Sequence, residues 1–135
     1  MPITIKQKNG GFFMRIAIPV EEKTSAANVC SSFGRTPYFL IYDTETKEST
    51  FLDNSAVASA GGAGIKAAQT IIDNNVGALL TPRCGGNAAA VLQAAEIEIY
   101  KTTSPAVKDN IEAFIAGELP LLKEFHAGFH GRGGR

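Results

Sequence analysis

Short apolar runs alternate along the chain with polar turns and glycine-rich breaks. Ile16-Ala17-Ile18-Pro19-Val20 is such a run and predicts a buried strand, with Pro19 at its exit. Tyr38-Phe39-Leu40-Ile41-Tyr42 predicts a second strand, rich in aromatic and branched residues. The polar stretch 43–47 turns the chain, and Glu48-Ser49-Thr50-Phe51-Leu52 predicts a third strand, antiparallel because the connection is a short hairpin. Asn54 and Ser55 open a loop that ends in Gly61-Gly62-Ala63-Gly64.

A helix is expected next, since Ile65, Ala68, Gln69 and Ile72 recur at one-face spacing and Asn74-Asn75 supply a stop. Val76-Gly77-Ala78-Leu79-Leu80 predicts a fourth strand, closed by Thr81-Pro82. Residues 87–95 predict an alanine-rich second helix with Ala88, Val91, Leu92 and Ala95 on one stripe. Glu96-Ile97-Glu98-Ile99-Tyr100 alternates at period two, a fifth strand. Ser104 as N-cap and Pro105 at the first helical position predict a third helix through Ile111, Phe114 and Ile115 to Gly117.

The expected order is β-β-β-α-β-α-β-α, an α/β fold on a five-stranded mixed sheet. Two hairpin steps and right-handed helical crossovers make the first, third, fourth and fifth strands parallel in direction. Their following loops then emerge on one carboxyl edge, where ligands bind in open α/β sheets. Residues 1–13, which end in the Asn9-Gly10-Gly11 breaker before Phe12 and Phe13, read as an extension ahead of a unit spanning 14–119. An extra strand or arm is an equally open reading of them. Residues 120–135 read as a tail, rich in glycine and histidine from His126 onward.

Composition bounds the function classes. The 135 residues are 44% hydrophobic and 19% charged, a globular profile for one domain. Thirteen basic and thirteen acidic side chains cancel, so no bulk field attracts nucleic acid or an anionic membrane. No run is long enough to cross a bilayer, the first eight residues carry no apolar leader, and two cysteines are too few for a secreted scaffold. The expectation is a cytoplasmic protein.

Cys30 lies in the loop after the first strand and Cys84 in the loop after the fourth, so both are expected in one crevice. Cys84 precedes a helix start and follows Arg83, a setting expected to favour the thiolate, the form that binds metal. An inert buried cysteine is the alternative reading of each. Gly61-Gly62-Ala63-Gly64 and Gly85-Gly86 stand at helix entries, where backbone N–H groups suit an anion or a cluster sulfide. Neither matches a dinucleotide or P-loop fingerprint. Both histidines, His126 and His130, lie in the tail, and no paired carboxylates stand out, so His-based triads and general acid–base catalysis find no support.

Four blocks carry a resemblance: Met14-Arg15-Ile16-Ala17-Ile18-Pro19-Val20, Ser32-Phe33-Gly34-Arg35-Thr36-Pro37-Tyr38-Phe39-Leu40-Ile41, Gly61-Gly62-Ala63-Gly64-Ile65 and Thr81-Pro82-Arg83-Cys84-Gly85-Gly86-Asn87-Ala88. In this order they resemble the dinitrogenase iron–molybdenum cofactor biosynthesis family, from about Met14 to Leu119. The family often has histidine before Phe-Gly-Arg; here that position is Ser32, with Cys30 two residues earlier. The resemblance implies a ribonuclease-H-like three-layer fold. It also implies a small non-catalytic protein that binds, carries or inserts an iron–sulfur or iron–molybdenum-type cluster, exchanging it with a donor or acceptor protein.

The expected site comprises Cys84 and Cys30 as metal ligands, with Ser32, Arg35, Gly61, Gly62, Gly64, Gly85, Gly86 and Asn87 around the cluster. Two thiolates do not close a four-ligand site, so a homodimer, the tail histidines or exogenous thiols would complete it. The alternative is a regulatory or interaction domain that binds an anionic small molecule at the same edge. The glycine-rich tail is expected to be dispensable for folding, because its ordering entropy is not repaid. Truncation after Phe125 is expected to shift the melting temperature by less than roughly 5 °C, read by thermal unfolding.

Overall fold

The computed structural model describes residues 7–8, 11–12, 14–24, 26–58 and 61–123. The chain forms β1 (Gln7–Lys8), β2 (Gly11–Phe12), β3 (Arg15–Val20), β4 (Tyr38–Asp43), β5 (Ser49–Asp53), α1 (Ser55–Ala58), α2 (Ala63–Asp73), β6 (Val76–Thr81), α3 (Gly86–Ala94), β7 (Glu98–Lys101) and α4 (Val107–Ile115). β1 and β2 pair as a separate two-stranded unit. The remaining strands make one mixed sheet in the order β5-β4-β3-β6-β7, antiparallel across β3–β4–β5 and parallel across β3–β6–β7. The five-stranded sheet, its strand directions and its three long helices are those the sequence pattern predicts.

Period-two alternation sorts each strand between two faces. Ala17, Phe39, Ile41 and Leu79 face α2 and α3, whereas Ile16, Ile18, Val20, Leu40, Ala78 and Leu80 face α4. Three layers result, with β3 at the centre and wholly buried from Ile16 to Val20.

Local details depart from expectation where long-range pairing intervenes. The α2 face toward the core is Ala63, Ala67, Ala68 and Ile71, and Ile65 is 46% exposed. Small residues line that face where α2 lies against α3: a Cβ on Gly64 would stand in ordinary van der Waals contact with the Ala88 methyl, at 3.7 Å. On α3, Val91 is half-buried and Ala95 is exposed beyond the helix end. The fifth strand begins at Glu98, because Glu96 takes a left-handed φ of 65° and ends α3. Glu96 N donates to Gln93 O and Ile97 N to Leu92 O, the paired bonds of a Schellman stop.

Ser104 does not cap α4. The helix starts at Val107 behind Ala106, because Pro105 O accepts Val29 N at 2.8 Å and Ala106 bridges Asn28 in extended form. Buried Asn110 anchors this entry instead: its Oδ1 accepts Thr103 N, and its Nδ2 donates to Ser104 O and Ala106 O. The loop after β5 also contains the short turn of helix α1. Pro120 O accepts Lys101 N and Leu122 N donates to Ile99 O, so residues 120–122, placed in the tail by sequence, pair along β7. His126 and His130 lie outside the described residues.

One close approach ties the loop after β3 to α2. A Cβ built on Gly34 would stand 2.9 Å from both Cα and N of Gly64, contacts that only backbone movement relieves. Gly34→Ala is therefore expected to lower the melting temperature by about 5 °C or more. Gly61→Ala, whose added methyl meets nothing within 4 Å, should change it little. Thermal unfolding of the two variants beside the parent checks this.

Candidate functional site

The carboxyl ends of β3, β5, β6 and β7 share one edge, and a cleft of about 670 Å³ opens there, within the range of small-ligand sites. Three segments line it: residues 31–35 after β3, residues 62–65 at the start of α2, and residues 83–85 with 87–88 at the start of α3. Hydrogen bonds shape the first segment. Asn54, 3% exposed, donates from Nδ2 to Gly34 O at 3.2 Å and to Thr36 O at 2.9 Å. Its backbone N donates to Pro37 O. The fully buried Thr36 hydroxyl lies within hydrogen-bond distance of Val20 O and Tyr38 O, and Arg35 N donates to the Ser32 hydroxyl. In the third segment the Thr81 hydroxyl donates to Arg83 O at 2.9 Å.

Two helix N-termini converge on this space. Gly62 caps α2 at φ 70°, a left-handed conformation in which a side chain would be strained, and Gly85 caps α3. Neither start has a side-chain cap, and first-turn N–H groups have no partner within their helix. Both helices therefore present positive ends to the cleft. Arg35 and Arg83 add guanidinium groups, and no carboxylate is among the lining residues. The arrangement suits an anion.

Ser32, Arg35, Gly62, Gly64, Cys84, Gly85 and Asn87 line the cleft as the sequence placed them. Gly61 and Gly86 do not line it, although they flank the two helix starts. Cys30 does not line it either, contrary to the expectation of one shared crevice. Val20 bridges Val29 and Cys30 N donates to Pro19 O, so the chain folds back on β3 and reaches the cleft only from Ser31. Sequence reasoning did not pick out Asn54, whose Asp-Asn-Ser setting signals only a local turn, nor Ile65 at the rim.

Cys84 is 2% exposed and belongs both to the cleft lining and to the core beneath it. Burial pushes its thiol up to about 12, against the expectation of a stabilised thiolate. Desolvation outweighs the helix end and Arg83, because the sulfur sits among apolar groups below them. Tyr100 is likewise pushed up to about 12, by burial and by its hydrogen bond to Glu98. Both groups keep their protons in the folded chain after the unfolded chain has lost them. Their stabilising contribution is full below the unfolded values and is lost as pH rises from about 9 towards 12. Stability should therefore fall across that range, and less steeply in Cys84→Ala, as denaturant titrations at several pH values would show.

The chain resembles known structures over most of its length. It is 32% identical to the apo form of the orange protein from Desulfovibrio gigas, covering 81% of this chain and 92% of that one with a TM-score of 0.77. A Thermotoga protein provisionally assigned to NifB is 34% identical, covering 85% and 98%, with a TM-score of 0.74. A Methanococcus jannaschii protein provisionally assigned as a dinitrogenase is 25% identical over 82% and 94%, with a TM-score of 0.62. No curated protein matches the chain. The family model described as dinitrogenase iron-molybdenum cofactor matches residues 14–117, which takes in the whole cleft, and the chain belongs to that family.

Proposed function

We propose that the cleft binds an anionic metal–sulfur cluster, of iron–sulfur or iron–molybdenum type, for carriage or insertion rather than turnover. The observation that carries this reading is the convergence of two helix N-termini, Arg35 and Arg83 around one buried thiol, with no carboxylate among the lining residues. Family membership supports a cluster as the anion. First-turn N–H groups, the Ser32 hydroxyl and the Asn87 amide would donate to cluster sulfides, and the guanidinium groups would balance its charge.

Among the described residues no group of three or more His, Cys, Asp or Glu side chains could hold a metal ion. That favours a cluster received already assembled over one built from free ions on protein ligands. Cys84 is the ligand this reading assigns. A bound metal ion replaces the thiol proton and compensates the sulfur charge that burial otherwise disfavours. Cys30, which lies off the cleft lining, packs in the core in this reading, and Gly61 and Gly86 serve the helix entries. A donor or acceptor protein would meet the chain at the cleft mouth.

The same positive lining would also hold an anionic small molecule with Cys84 incidental, so the test must separate the two. The parent, Cys84→Ser and the double variant Arg35→Gln/Arg83→Gln are each incubated anaerobically with a preassembled, thiolate-ligated iron–sulfur cluster or with a molybdenum–sulfur anion, then desalted. Retained metal and visible absorption are expected for the parent, and at least roughly ten-fold less metal for each variant. Parent protein that retains no metal, or Cys84→Ser that retains as much as the parent, would overturn the cluster reading in favour of the small anion.

A further inference from the structure

The two outer edges of the sheet end differently. Residues 120–122 cover β7 through the Lys101 N–Pro120 O and Leu122 N–Ile99 O bonds, each 2.8 Å. Beyond β5, no described residue pairs with the strand. The bonds Asn54 N–Pro37 O and Asp43 N–Glu48 O fix which backbone groups of the third strand face β4. Antiparallel bonding residues alternate, so Glu48, Thr50, Leu52 and Asn54 bond inward. The N–H and C=O groups of Ser49, Phe51 and Asp53 therefore point outward from the edge.

Edges left open to solvent are usually blunted by proline, a bulge, or charged side chains such as lysine that meet no opposite charge on an incoming strand. Ser49–Asp53 contains no proline or lysine, and its register with β4 runs without a break. It also carries half-buried Phe51 against the α4 face and half-buried Leu52 against the α2/α3 face. Such an edge is suited to another strand on both of its faces.

We propose that β5 pairs antiparallel with β5 of a second copy of this chain about a two-fold axis at Phe51. In this register Phe51 faces Phe51 across the axis, and Ser49 of each copy faces Asp53 of the other. Ser49, Phe51 and Asp53 then all exchange backbone hydrogen bonds. A slip to the next bonding register in either direction leaves Ser49 or Asp53 unmatched within the strand, so the arrangement is unique in using the whole edge. No like charges oppose one another. Asp53 is ionised near neutral pH, because the Ser55 hydroxyl and N–H hold its carboxyl below the usual range. The carboxyl end of β5 lies at the cleft edge and the two-fold reverses the second copy. The clefts thus stand at opposite ends of the joined sheet, each complete within its own chain, so pairing is independent of cluster loading.

The register makes a signed prediction for sedimentation equilibrium of the full chain. The parent should show a concentration-dependent dimer. Ser49→Asp sets a carboxylate against Asp53 of the other copy, twice per dimer, and should raise the dimer Kd by about five-fold or more. Ser49→Lys sets an ammonium there and should lower it by a similar factor. Ser49 is exposed, so both variants should melt like the parent, which thermal unfolding verifies. A parent that stays monomeric up to about 1 mM, a concentration at which even weak association shows, overturns the proposal. So does a dimer whose Kd is unmoved by both variants or moved the same way by both.

Discussion

The close approach of Gly34 to Gly64 sets the shape of the working edge. With no side chain on either residue, the loop after β3 lies directly on the first turn of α2, backbone to backbone. Asn54 reinforces the contact from the end of β5, holding the carbonyls of Gly34 and Thr36 with one amide. Gly64 meets Ala88 on its other side, so the starts of α2 and α3 are placed with respect to the same loop. The cleft is what remains between these backbone segments, with the starts of two helices in its lining. A side chain at residue 34 would move a wall of the site as well as strain the fold.

That construction divides electrostatics by depth. Arg35, Arg83 and the two helix ends stand at the exposed mouth and walls of the cleft. Cys84 sits lower, in contact with the core under α2 and α3, and there burial governs its proton. One sulfur can therefore be adjacent to a positive field and still be a poor acid. In the proposed cluster reading, a metal cation at the sulfur would supply the compensation that the protein field does not deliver at that depth.

Behind the cleft, buried polar side chains fix loops that would otherwise depend on local turn chemistry. Thr36 satisfies the backbone where β3 and β4 diverge, and Asn110 gathers the carbonyls and N–H of residues 103–106. Pro105 and Ala106 are drawn against residues 27–29, and the adjoining Cys30 N donates to Pro19 O on β3. The exclusion of Cys30 from the lining is thus linked to the way α4 begins.

The five strands of the main sheet, their directions and the shared carboxyl edge were legible in the chain, because run length, hairpin length and crossover handedness are local or nearly local properties. Arg35, Gly62, Cys84, Gly85 and Asn87 could be placed at that edge for the same reason: each lies in a connection leading to a strand or a helix, or in the first turn of that helix. Only the tertiary structure decided the rest. Ile65 turned outward because α2 and α3 approach through small side chains, and α4 lost its Ser104 cap to pairing with a segment far away in sequence. Cys30 fell outside the cleft lining that includes Cys84, and the Cys84 thiol is pushed up to about 12, because burial belongs to the assembled layers and no single stretch of sequence encodes it.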